Sequence, residues 1–164
     1  MNLFPLHEDP LEAAKLNCDT HLNKILIEAA QMLCIPFHLQ NITAPYKPSH
    51  VNHPVSKWVR ASRQNFLWTL RHAYGLYLER YCRLDKGHKT VKVLDWIDLN
   101  GRSLEFPMED RTPFAIAISD DKLCRKDPEW DITNPVKCYQ LLYKHDKKTI
   151  AKWTNRDIPG FMGG

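Results

Sequence analysis

The chain has 164 residues, 43% hydrophobic and 26% charged, the make-up of an ordinary globular domain and not of a disordered or collagen-like chain. No window approaches about 18 uninterrupted apolar residues, and the opening Met1-Asn2-Leu3-Phe4-Pro5 lacks a basic stretch and a long apolar run. The expectation is one intracellular domain with no membrane span or secretory signal. Five cysteines, odd in number and unevenly spaced, point to reduced thiols, and a formal charge of +4 permits a polyanionic partner without demanding one.

Asp9-Pro10-Leu11-Glu12 reads as a helix start, with Asp9 as cap and Pro10 at the first helical position. Beyond it Leu11, Ala14, Cys18, Leu22, Ile25, Ala29 and Met32 recur at steps of three and four, predicting one helix over 10–33 that Pro36 stops. Prolines 36, 45, 48 and 54 among polar residues predict a long connecting loop. Val59, Ser62, Phe66, Leu70, Ala73, Tyr77 and Tyr81 then predict a second long helix over 55–83. A shorter helix is expected over 90–99, an Asn100-Gly101 turn, and irregular chain over 102–133 with a possible short strand at 114–118. Asn134-Pro135 repeats the cap signal and opens a helical period through Trp153, before Pro159 and a fraying tail over 160–164. The predicted architecture is mainly α, with long loops and little strand.

The second predicted helix holds six cations, Lys57, Arg60, Arg63, Arg71, Arg80 and Arg83, against Glu79, a local +5 beside +4 for the whole chain. Projected as one helix, Lys57, Arg60, Gln64, Trp68 and Arg71 fall opposite the apolar stripe. Cations neutralise phosphates and an exposed indole stacks on unpaired bases, so DNA is the expected partner of Lys57, Arg60, Arg63, Gln64, Trp68 and Arg71. The competing reading is a solvated face with Trp68 covered by another element.

On the first predicted helix Asn17, His21, Lys24, Glu28 and Gln31 advance by four, three, four and three residues, a polar line that borders either a cleft or plain solvent. Within it Lys24 and Glu28 have the spacing of an ion pair. Cys18-x-x-His21 and Cys34-x-x-x-His38 invite a zinc reading, but thirteen helical steps separate the pairs by roughly 20 Å, too far to share a metal. No metal and no organic cofactor is expected. Gly-rich phosphate loops and Gly-x-Ser-x-Gly elbows are absent from the sequence.

Asp19-Thr20-His21-Leu22, with Glu28 nine residues after the aspartate, resembles the pyrimidine-dimer DNA glycosylases of the endonuclease V type from T-even phages. The His-led basic helix from His53 to Arg83 and the aromatic, lysine-rich stretch from Tyr139 to Trp153 are further points of similarity. Met1-Asn2-Leu3-Phe4 and Glu28-Ala29-Ala30-Gln31-Met32-Leu33 also resemble uncharacterised phage proteins. The resemblance implies a compact helical DNA glycosylase with lyase activity, working in the cytoplasm of an infected bacterium. It makes Glu28 the catalytic carboxylate, sets His21 at the family histidine, and assigns the nucleophile to an α-amine.

The family exposes a threonine amine after methionine removal, whereas Asn2 is too large for efficient removal, which leaves the amine on Met1. Two family arginines around the glutamate fall on Ile27 and Gln31, so Gln31 takes the DNA-contacting position of one of them, and His53 joins the DNA-binding set. An α-amine titrates at about 7.7 to 8.0 against about 10.4 for a lysine, so the α-amine is the better nucleophile at neutral pH, with Lys24 the alternative if burial lowers its pKa. Two other expectations stand beside this one: an enzyme modifying viral DNA bases on the same fold, and a non-catalytic nucleic-acid- or protein-binding module.

Overall fold

A computed structural model describes residues 1–163. Six α-helices form the fold, with no strand among the described residues: α1 (Pro10–Leu16), α2 (Asp19–Leu39), α3 (Pro54–Ala61), α4 (Arg63–Leu84), α5 (Thr90–Asn100) and α6 (Pro135–Leu142). None of them is long and apolar enough to cross a membrane.

The capping signals act as their chemistry dictates. Asp9 accepts the Leu11 and Glu12 amides at the start of α1, and Asn134 accepts the Lys137 amide at the start of α6, each followed by proline. The two long predicted helices are each broken in two. At Asn17 the backbone turns extended (ψ 139°), and its side-chain amide donates to Ala13 O at 2.8 Å and to Phe4 O at 3.2 Å. This satisfies a carbonyl at the end of α1 and ties the break to the N-terminal segment. At Ser62 the chain is again extended (φ −148°, ψ 159°), and the hydroxyl accepts the Asn65 amide at 3.0 Å to start α4.

Pro36 does not stop α2, which runs on to Leu39. Only the last turn lies beyond the proline, so the missing N–H removes one late hydrogen bond, and the Pro36 carbonyl still accepts the Gln40 amide at 3.1 Å. The chain over 114–118 is not a strand. The Tyr139 hydroxyl donates to Ala115 O and accepts the Ala117 amide, and Asn2 donates to Ala117 O, so side chains supply the partners a second strand would have given. After α6 a π-helical turn over Tyr143–Lys147 ends the last helix well before Trp153. In the tail Gly160–Met162 forms a short 3₁₀ turn in which Phe161 packs edge-on to Tyr143, while Gly164 of the predicted fraying tail lies outside the described residues.

Helix α4 packs along α2 and α1, and α5 covers both α2 and α4. Gly75 allows the α1–α4 approach, since a Cβ there would lie 2.7 Å from Ala14 Cβ. Leu22, Ile25, Leu26, Met32, Leu33, Phe37, Phe66 and Leu76 are fully or almost fully buried and join one continuous hydrophobic core. The N-terminal segment is part of that core, because Leu3, Phe4 and Leu6 are all buried. It is held between α2, α4 and α6 by backbone oxygens: Leu3 O faces His72 Nε2 at 2.8 Å, and Leu6 O accepts from Gln140 at 3.1 Å.

Candidate functional site

The anchored N-terminal segment delivers the chain start to the middle of α2. The Asn2 amide donates to Glu28 Oε2 at 3.1 Å across 26 residues of sequence. The Met1 nitrogen is one residue further back, which places it within about 7 Å of that carboxylate oxygen by chain geometry alone. Asn2 fixes this approach with its side chain: Oδ1 accepts the Leu3 and Phe4 amides at 2.8 and 3.0 Å, and Nδ2 donates to Ala117 O at 3.1 Å. The turn it makes puts Phe4 at φ 45°, a left-handed conformation that costs a residue with a Cβ about 1 kcal/mol or more.

Glu28 is half-buried on α2 and takes the Asn2 amide rather than an ion pair with Lys24; no Lys24–Glu28 bridge exists among the described residues. Lys24 is exposed, so the burial that would make it a good nucleophile at neutral pH is missing. His21, predicted on the same polar line, is only 5% exposed and lies beneath Phe4, with ring centroids 4.2 Å apart. Its Nδ1 is 2.5 Å from the Tyr143 hydroxyl. Burial, with the Lys147 and Lys24 charges added, pushes its pKa down to about 4, so it is neutral at physiological pH and supports the N-terminal segment from inside. Asn17 is wholly buried and Gln31 half-buried, so the predicted polar line is solvent-facing only in part.

His53 caps α3, its Nδ1 accepting the Val55 amide at 3.1 Å. Burial, the Met1 amine and His50 push its pKa down while Glu28 pulls it up, so Met1, Glu28, His50 and His53 share one electrostatic neighbourhood. Lys147 adds a cation nearby, with Nζ 5.9 Å from the Phe4 ring centre. Asn2, Phe4, His50 and Lys147 were not singled out as site residues by the sequence. The apolar Leu3–Leu6 stretch marks Phe4 and its neighbours as a segment to be buried, and nothing in the sequence marks His50 or Lys147.

The basic face differs from the projection. Trp68 is 4% exposed, donates Nε1–H to Glu8 O at 2.7 Å and stacks on His72, so the indole is a core side chain and offers no face to a base. The extended Ser62 separates Lys57 and Arg60 on α3 from Gln64, Trp68 and Arg71 on α4, which removes the single helical phase that had put them on one side. Arg83 is buried, pairing with Glu79 at 2.8 Å and Asp19 at 3.2 Å. Arg63 is held by Leu104 O and by Glu109 at 3.4 Å, and Arg60 by Val51 O at 2.7 Å. Lys57 and Arg71 are exposed with no ion pair among the described residues, and Gln64 is half-exposed.

The cysteine and histidine pairs stay apart, His38 bonding Tyr46 O at 2.8 Å and His21 bonding Tyr143. Among the described residues no group of three or more His, Cys, Asp or Glu side chains converges as a metal ion would require. Compared with known proteins, the chain matches no protein-family model, no curated protein and no solved structure.

Proposed function

We propose that this chain is a DNA glycosylase with lyase activity that works through an imine formed by the Met1 α-amine. One observation carries the reading: the Asn2 N–H bond to Glu28, which draws the chain start to a half-buried carboxylate. An amine beside a carboxylate is the pair that imine chemistry on a sugar needs, one group to attack and one to move protons.

The steps balance as follows. The neutral amine attacks C1′ of a deoxyribose, and the base departs with the glycosidic electron pair and takes a proton from water. Glu28 removes a proton from the new C1′–N ammonium. The nitrogen lone pair then forms the C1′=N bond, the C1′–O4′ pair leaves on O4′, and Glu28 returns its proton there. Loss of a C2′ proton expels the 3′-phosphate and completes strand cleavage. Lys57, Arg60, Arg71, Lys24 and Lys147 are the cations offered to DNA phosphates, with Gln31, Gln64 and His53 as polar contacts.

Borohydride reduction in the presence of a panel of damaged and modified DNAs tests the reading. The expected result is a covalent adduct whose DNA remnant maps by mass spectrometry to the N-terminal peptide. An adduct on Lys24, or no adduct with any DNA of the panel, would reject the Met1 imine.

A further inference from the structure

Helix α4 packs against α1, α2, α3 and α5, yet one stripe along it stays in solvent. Arg71, Tyr74, Leu78, Tyr81 and Asp85 lie on that stripe, advancing by three and four residues, the repeat with which one helix seats against another. Leu78 and Tyr81 are each 54% exposed, and Leu11 of α1 lines the groove beside Leu78 and widens the apolar patch. Tyr74 is half-buried, its hydroxyl donating to Asp95 of α5 at 2.6 Å. Arg71 and Asp85 are exposed, and neither has an ion pair among the described residues. The Asp85 amide donates to Tyr81 O at 2.9 Å, which keeps this cap residue on the end of the helix. Arg71 and Asp85 each stand about 10 Å along the axis from Leu78 and within about 20° of its direction, since seven residues make almost two full turns.

We infer that this stripe is a contact surface for a second copy of this chain, the two α4 helices packing antiparallel across a two-fold axis at Leu78. Charge complementarity selects that occupant. In the antiparallel pair Leu78 meets Leu78, and Arg71 of each copy lies level with Asp85 of the other, so two ion pairs form together around an apolar centre. A parallel pair would set arginine against arginine and aspartate against aspartate. The seam from 71 to 85 is about 21 Å long, less than a standard protein interface needs, so the dimer is weak, with a dissociation constant on the order of tens of micromolar. A DNA phosphate and the second copy's Asp85 exclude each other at Arg71, so the dimer belongs to the DNA-free protein. It does not depend on the imine reading.

Sedimentation velocity without DNA, from about 1 to about 300 µM protein, tests the inference. The wild type should pass from monomer to dimer; a monomer throughout, or an assembly larger than a dimer, would overturn it. Leu78→Glu alters an exposed position and should remain monomeric with the circular dichroism and unfolding midpoint of the wild type. Dimerisation of that variant at wild-type strength would show that α4 is not the contact. Asp85→Asn keeps a residue that accepts the left-handed cap conformation and removes the charge, and it should weaken the dimer about 5-fold at low salt. An unchanged or tighter Asp85→Asn dimer would overturn the antiparallel pairing.

Discussion

Phe4 lies flat on His21, with the ring planes 6° apart, and this stack ties the N-terminal segment to α2 two helical turns before Glu28. The left-handed Phe4 backbone is tolerated because the ring is wedged among His21, Tyr139 and Tyr143 and because the Phe4 carbonyl accepts from both Asn17 and Leu6. A strained residue held from several sides is a rigid mount, and what it mounts here is the chain start.

Stability should therefore depend on the protonation of His21. Its folded pKa of about 4 lies below the 6.5 of an unfolded histidine, so the unfolded state binds the proton first as pH falls. The contribution is complete above pH 6.5, declines between 6.5 and 4, and is gone below 4, a loss of about 3 kcal/mol over the window. Urea unfolding of wild type and His21→Asn across that range checks this: the variant should be less stable at pH 7 and show a shallower decline with acid.

Trp68→Ala should act on the fold and not on DNA recognition. Removing a buried indole with a 2.7 Å bond to Glu8 O is expected to cost about 3 to 5 kcal/mol in denaturant unfolding. Residual folded protein should bind single- and double-stranded DNA in the wild-type ratio. Lys57→Ala and Arg71→Ala, by contrast, should leave the melting temperature within about a degree and each lower the salt slope of DNA binding by about one. An unchanged slope in a salt titration would show that these side chains face only solvent.

Glu79 holds the C-terminal stretch against the helices. Its carboxylate meets Arg83 at 2.8 Å and Arg156 at 2.6 Å, and Arg83 is itself bonded to Asn17 O, Lys15 O and Asp19. The two arginines keep the Glu79 carboxyl below its ordinary pKa despite its burial. Glu79→Ala leaves the Arg83 guanidinium buried without its main partner, and the expected cost is about 3 to 5 kcal/mol, read as a lowered urea midpoint.

Glu28→Gln keeps the side-chain shape and an acceptor for the Asn2 amide while removing the charge. The expected outcome is DNA affinity nearly intact with turnover reduced at least about 100-fold, measured under single-turnover conditions.

The parts of this fold that were legible in the sequence are the local ones. Asp9-Pro10 and Asn134-Pro135 start helices because the cap and the proline act within one turn. The breaks at Asn17 and Ser62 were hidden in an unbroken apolar period, since part of what holds them lies far away in sequence: Phe4 O for Asn17, and Thr112, bonded to the Asn65 side chain, beside Ser62. Missing the second break produced the error at Trp68, because a helical projection carries no meaning across an extended residue. The candidate site was half legible. Glu28 and Met1 were named from the resemblance, but the approach of the chain start to Glu28 depends on an irregular segment threading between three helices, and no spacing rule encodes that.

The central claim is that the Met1 amine is the nucleophile, and blocking it is the most direct test. A variant with two glycines added ahead of Met1 moves the free amine away from Glu28 while leaving Lys24, Glu28 and the cationic surface in place. Borohydride trapping on a DNA that the unextended protein cleaves should fall to background with DNA affinity unchanged, whereas Lys24→Arg should trap as the wild type does. Undiminished trapping by the extended protein, or its loss in Lys24→Arg, would contradict the account.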